Sequence, residues 1–184
     1  MRHSAIIEPD GAVLVVVDVQ DKLADVMEYR RQVVDNAGKL VRIFQILELP
    51  ILVTEQYPRG MGRLVAPLRE VISNCQPREK LSFSCFAEPG FTADIERIGA
   101  RHLVVVGMEA HICILQTALD ALANGYAAHV PVDAVCSRRT IDWQAGLSKM
   151  RQNGVVVTST EIVIFELLQK AGTPQFKQAL GVVK

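Results

Sequence analysis

Three polar residues stand where the chain can do chemistry: Asp18, Lys80 and Cys113. Cys113 follows the apolar run Leu103 to Val106 through the turn Gly107-Met108-Glu109-Ala110-His111, in the first turn of a helical pattern beginning near Ile112. There the helix dipole and free N–H groups favour a thiolate, the nucleophilic form of cysteine. Cysteine is also a common small core residue, and position alone leaves that reading open. Lys80 closes a weakly polar stretch; its ammonium can lower a thiol pKa and keep a neighbouring carboxylate charged, or simply lie in solvent. Asp18 ends the most apolar run of the chain. A carboxylate there is costly to desolvate without a cationic partner. It can act as general base and acid on a thiol proton, or merely cap a strand–helix turn.

Other reactive groups carry weaker signals. Cys75, Cys85 and Cys136 lack the placement of Cys113 and read as structural. No cysteine belongs to a Cys-x-x-Cys pair, which argues against zinc ribbons and thioredoxin-type redox motifs. All four are expected as free thiols in a reducing compartment. The first apolar run continues as VDVQDK, with no GxGxxG, and no GxxxxGK[ST] occurs, so neither a dinucleotide fold nor a phosphate loop is indicated. His3, His102, His111 and His129 form no metal pair. His111 reads as a turn histidine, and none is an obvious base for papain-like chemistry.

The elements that position these residues alternate. Ala12 to Val17 is β-branched and unbroken, the pattern of a strand buried on both faces. Val33, Val34, Ala37, Leu40, Val41, Phe44 and Leu47 recur at helical spacing. Further strands are expected over 51–54, 79–81, 103–106, 127–132 and 155–158, with helices over 64–72, 91–98, 112–123 and 141–150. A last strong helix follows a cap at Ser159 or Thr160, and one or two helical turns follow Gly172. The stretches 56–62 and 133–140 read as loops. Alternation of this kind predicts a three-layer α/β/α fold around a doubly wound, six-stranded parallel sheet. Six units are too few for an eight-stranded barrel. Ligands of such sheets bind beyond the carboxyl ends of the strands, where Asp18, Glu55, Glu79-Lys80, Gly107 to Cys113, Asp133 and Thr158 all fall.

Composition narrows the function classes. The 184 residues fit one domain, 1–184, and 49% hydrophobic content supplies a core. Twenty basic and twenty acidic residues leave no net charge, so there is no global sign of nucleic-acid binding, and weak charge repulsion permits self-association. The start MRHSAIIEPDG lacks a signal-peptide core, and no apolar run is long enough to span a membrane. A cytoplasmic protein with a small-molecule substrate, no nucleic-acid or membrane partner, and a homo-oligomeric state is expected.

The segments VLVVVDVQ, the Glu79-Lys80 pair and GMEAHICILQTALDA resemble the isochorismatase-like cysteine hydrolases, a superfamily that includes nicotinamidases, N-carbamoylsarcosine amidohydrolases and isochorismatases. The third segment is the most specific: it keeps the family's spacing at Gly107, Cys113, Thr117, Ala118, Asp120 and Ala121. The resemblance covers nearly the whole chain. It implies a catalytic set of Asp18, Lys80 and Cys113, a six-stranded parallel sheet and an oligomer. It also implies a non-proline cis peptide at Met108-Glu109, and an oxyanion hole from the backbone N–H groups of Glu109 and Cys113. Nicotinamidases carry an Asp-x-His metal motif after the second strand. Here that stretch reads Thr54-Glu55-Gln56-Tyr57-Pro58, so no metal and no cofactor are expected. The aromatic that often follows Asp-x-Gln-Asn is missing too, since the chain reads Gln20-Asp21-Lys22-Leu23. The TEQYPRGMG and KLSFSCF segments resemble the isochorismatase domain-containing branch of animals, protozoa and bacteria. Gln20, Gln56, Tyr57, Phe83 and Phe86 are expected as substrate-binding walls, with Phe83 and Phe86 equally readable as core.

Three functions stand at this level. The first is a metal-independent cysteine hydrolase of a small amide, imide or related carbonyl compound. The second is vinyl-ether hydrolysis of the isochorismatase type, with Asp18 carrying the proton. The third is a non-catalytic oligomeric binding protein that retains the fold.

Overall fold

The computed structural model describes residues 2–72 and 75–183. Its centre is a seven-stranded parallel sheet. β1 (Ala12–Val17), β2 (Ile51–Gln56) and β3 (Arg78–Lys80) step outward on one side. β4 (His102–Met108), β5 (Ala127–Pro131) and β7 (Val156–Thr158) step outward on the other, and β6 (Val135–Cys136) joins the end of β4. Six strands form the continuous path, as the alternation predicts. The seventh, β6, lies inside the stretch 133–140 that reads as a loop. Two residues are too few to leave a pattern in the sequence.

The unbroken apolar runs are explained by the layers they face. Ala12, Leu14 and Val16 of β1 pack on one side with α2 (Arg30–Ile46), α4 (Ala66–Val71), α8 (Thr160–Leu168) and α9 (Pro174–Val183). Val13, Val15 and Val17 face the other side, with α5 (Pro89–Ile98), α6 (Leu115–Ala123) and α7 (Thr140–Gln152). With helices on both faces, every position along β1 is buried, and each large aliphatic side chain contributes about 1.5–3 kcal/mol. Ser159 caps α8, its hydroxyl accepting from the Ile162 N–H.

Some expectations shift. Residues 56–62 are not all loop: Pro58–Met61 make a single turn, α3, because proline at the first helical position presets its φ. A short helix α1 (Asp21–Asp25) follows β1. The helix expected over 64–72 is confined to α4, because Leu64 instead bridges to Gln20. The helix expected from Ile112 opens as a π-helical turn over Ala110–Ile114, and α6 begins at Leu115. The tail is longer than expected, with α9 spanning ten residues.

Strand order reverses between β1 and β4. β1 hands the chain on to β2 and β3 on one side, and β4 hands it on to β5 and β7 on the other. In doubly wound sheets the crevice beyond the carboxyl ends at such a switch point is where ligands bind. Asp18 leaves β1 at that point, and the π-helical turn that carries Cys113 leaves β4 beside it.

Candidate active site

Asp18 leaves β1 in the left-handed region, at φ 54°, which aspartate tolerates better than most residues. Its backbone N–H donates to the Thr54 carbonyl at 3.2 Å, tying the exit of β1 to β2. Lys80 is the last residue of β3 and pairs in register with Gln56. The register therefore carries both side chains to the same end of the sheet. Lys80 Nζ donates to Asp18 Oδ2 at 2.7 Å, and neither side chain has any exposed surface. The same nitrogen lies 2.7 Å from Gln56 Oε1, 3.0 Å from the Ser82 carbonyl and 3.2 Å from the Phe83 carbonyl. It stands 3.8 Å from Cys113 Sγ. The ammonium thus shares its three protons among acceptors from four directions, which is how a buried charge is kept satisfied.

Cys113 keeps 6% of its surface exposed. Burial pushes its thiol pKa up, the nearby Asp18 carboxylate pushes it the same way, and Lys80 pulls against both. Cys113 lies in a π-helical turn within an apolar layer, and that burial works against the thiolate a helix terminus favours. Burial lowers the Lys80 ammonium pKa, but Asp18 and Cys113 outweigh it and the net shift is upward.

The remaining residues singled out in the sequence are placed as follows. Gln20 is corrected: it is fully buried, so it has no surface to offer a ligand. Its Nε2 donates to the carbonyls of Gln56 and Gly62 at 3.0 and 2.6 Å, and its Oε1 accepts from the Gln56 N–H at 2.7 Å. Gln56 is half-buried, with its oxygen on Lys80 and its nitrogen donating to the Leu81 carbonyl at 2.8 Å. Tyr57 and Phe83 are exposed beside the Lys80 strand end. Phe86 packs edge-on against Phe91 and stacks on Tyr126, in the helical layer. Glu109 is joined to Met108 by a cis peptide bond. Its buried carboxylate accepts from Arg138 Nε at 3.1 Å and from the Arg138 N–H at 3.0 Å. His111 Nδ1 lies 2.9 Å from Ser137 Oγ. Among the described residues no three His, Cys, Asp or Glu side chains are grouped to hold a metal ion. Glu55, after the second strand, is occupied with Arg63 at 2.8 Å and the Leu64 N–H at 2.7 Å.

One residue at this site was not legible. Thr54 Oγ1 donates to Asp18 Oδ1 at 2.8 Å, deep in the protein. The available signal was a polar residue closing an apolar strand, which reads equally well as ordinary β propensity. A hollow of about 380 Å³ opens beside Lys80, between Tyr57, Arg59, Leu81 and Glu88. A larger hollow of about 710 Å³ runs along α2 and touches none of the three central residues.

Comparisons with known proteins show the family and the fold. The family model for the isochorismatase domain matches residues 12–162. Isochorismatase domain-containing protein 2 of Macaca fascicularis is 36% identical over 177 residues, covering 96% of this chain and 84% of the relative. The structure of MAR1 ribonuclease from Caenorhabditis elegans superposes with a TM-score of 0.92 at 34% identity, covering 97% of this chain and 92% of that one. The Escherichia coli YcaC gene product, described as an octameric hydrolase of unknown specificity, has a TM-score of 0.85 at 18% identity, covering 100% of this chain and 89% of that one. That last likeness concerns the fold alone.

Proposed function

The chain belongs to the isochorismatase family of hydrolases, and from that membership we propose that it is a metal-independent cysteine hydrolase of a small amide, imide or related carbonyl compound. One observation carries the reading. A buried ammonium, that of Lys80, lies 2.7 Å from the Asp18 carboxylate and 3.8 Å from the Cys113 sulfur.

In this proposal Asp18 takes the thiol proton and the sulfur attacks the carbonyl carbon. Lys80 offsets the negative charge, first on the carboxylate and then on the sulfur. The backbone N–H groups of Glu109 and Cys113 receive the developing oxyanion. As the C–N bond breaks, the leaving nitrogen takes the proton from Asp18, and a thioester to Cys113 remains. Asp18 then accepts a proton from water, hydroxide adds to the thioester, and the acid leaves as the thiol is restored. The raised thiol pKa supports this order, because a neutral thiol needs a base at each turnover. Gln56 acts by holding Lys80. Tyr57 and Phe83, exposed near that strand end, are assigned to the substrate's approach.

The cytoplasm suits the four free cysteines, which form no disulfide. Among the described residues no helix is long and apolar enough to cross a membrane. Homo-oligomerisation is proposed on the exposed apolar side chains Leu81, Phe83, Ile162 and Phe165.

The test is selective alkylation combined with a panel of small amides. Iodoacetamide is expected to label Cys113 faster than Cys85, and Lys80→Ala is expected to slow that labelling. Turnover on the panel is expected to vanish in Cys113→Ala. Equal labelling of Cys85 and Cys113 argues against the reading, and turnover that survives Cys113→Ala transfers the chemistry to an acid route through Asp18. An RNA oligonucleotide assayed in parallel asks whether the ribonuclease description of the C. elegans protein extends to this chain.

A further inference from the structure

We propose that Thr54 is a positioning residue for this chemistry: its buried hydroxyl occupies one oxygen of Asp18 so that the other is held toward Lys80 and the Cys113 thiol. The inference rests on the reading of Asp18 as the base.

Two bonds from the same residue fix Asp18. Thr54 pairs in register with Val17, the residue just before it. The Thr54 carbonyl accepts the Asp18 N–H at 3.2 Å, which sets the backbone where the chain turns out of β1. Its hydroxyl donates to Asp18 Oδ1 at 2.8 Å, which sets the rotation of the carboxylate. Lys80 takes Oδ2 at 2.7 Å. A carboxylate gripped on both oxygens has no freedom to swing away from the sulfur.

The direction of the hydroxyl proton follows from the carboxylate, which can only accept. Thr54 is 1% exposed, so its hydroxyl has to be satisfied inside the protein, and Asp18 Oδ1 at 2.8 Å is the acceptor it reaches. The Cys85 thiol lies 4.0 Å from Thr54 Oγ1. β-branching adds rigidity, since threonine has few χ1 choices on a strand.

Loss of the Thr54 hydroxyl leaves Lys80 on Asp18 Oδ2 and frees Oδ1, so the change is confined to how firmly the carboxylate is held.

The experiment measures the rate of Cys113 alkylation by iodoacetamide at fixed pH, resolved by peptide mass mapping. It compares wild type, Thr54→Val, Thr54→Ala, Thr54→Ser and Asp18→Asn. Removal of the hydroxyl in Thr54→Val is expected to slow alkylation about fivefold to tenfold, and Thr54→Ser is expected to restore the rate. Thr54→Ala gives the same readout should the valine variant fail to fold. An unslowed rate in the valine and alanine variants, alongside a slowed rate in Asp18→Asn, overturns the role of Thr54 and leaves the catalytic set intact. An unchanged rate in Asp18→Asn instead removes the base itself, and the inference with it.

Discussion

Gly107 meets Val17 with no space for a side chain: a Cβ on Gly107 would stand 2.0 Å from the Val17 carbonyl oxygen. Its φ of 124° also lies where L-residues rarely go. This contact is where β1 and β4 approach each other at the switch point, one residue before Asp18 and six before Cys113. Gly107→Ala is therefore expected to push the two strand ends apart. Chemical denaturation should show a loss of several kcal/mol, or no soluble protein. Alkylation of Cys113 in any folded fraction should lose its dependence on Lys80.

The ion pair of Asp18 and Lys80 stabilises the fold only as a pair. Both side chains are fully buried, so removal of one leaves an uncompensated charge inside the protein, at a cost of about 3–5 kcal/mol. Lys80→Met and Asp18→Asn are each expected to destabilise strongly in urea unfolding. The double variant should recover most of the loss. A double-mutant cycle with no coupling energy would contradict the burial of the pair.

Much of this arrangement was legible in the sequence, for a definable reason. Val13 to Val17 have no polar alternation because both faces of β1 are covered, and that is a periodicity signal. Asp18 stood out as a polar residue closing an apolar run, while Lys80 and Cys113 each had an ordinary reading and were joined to it only by the family resemblance. Thr54 was hidden because threonine is at home in a strand. Gln20 was misread because its type and its place beside Asp18 suit a substrate contact. Only three-dimensional closure reveals that backbone groups of residues 56 and 62 consume its amide. A helix start at Cys113 is visible in sequence, while the desolvating layer that pushes its thiol pKa up is not.

Gln20 supplies the third prediction. Its side-chain amide satisfies two carbonyls and one N–H. Gln20→Leu removes all three hydrogen bonds at once and leaves their backbone partners behind. Each buried backbone group left unpaired costs about 1–3 kcal/mol, and some regain water at the loop. A net loss of about 2–4 kcal/mol in urea unfolding is expected. The iodoacetamide rate of Cys113 should also fall, because the Gln56 that holds Lys80 loses its anchor. Full stability in Gln20→Leu would show that these three bonds add nothing net to the fold.

His129 makes stability depend on pH far from the candidate site. It is fully buried on β5. Its Nε2 lies 3.2 Å from His102 Nδ1, and its own Nδ1 has no hydrogen-bond partner among the described residues. Burial, reinforced by the neighbouring His102, holds its pKa down at about 4, against an ordinary 6.5. His102 is lowered in the same direction, chiefly by burial. The unfolded chain therefore binds a proton that the folded chain refuses. Above pH 6.5 neither state is protonated at His129, and its stabilising contribution is complete. As the pH falls from 6.5 toward 4, protonation draws the equilibrium toward the unfolded state by about 1.4 kcal/mol per pH unit. Below pH 4 both states carry the proton, and this group takes nothing further away. Urea unfolding at pH 7 and pH 5 checks the sign and the source. Wild type is expected to lose about 2 kcal/mol more over that interval than His129→Leu, in which the titrating group is gone while the carboxylates are unchanged. An equal loss in both proteins would trace the acid sensitivity to the carboxylates and not to this histidine.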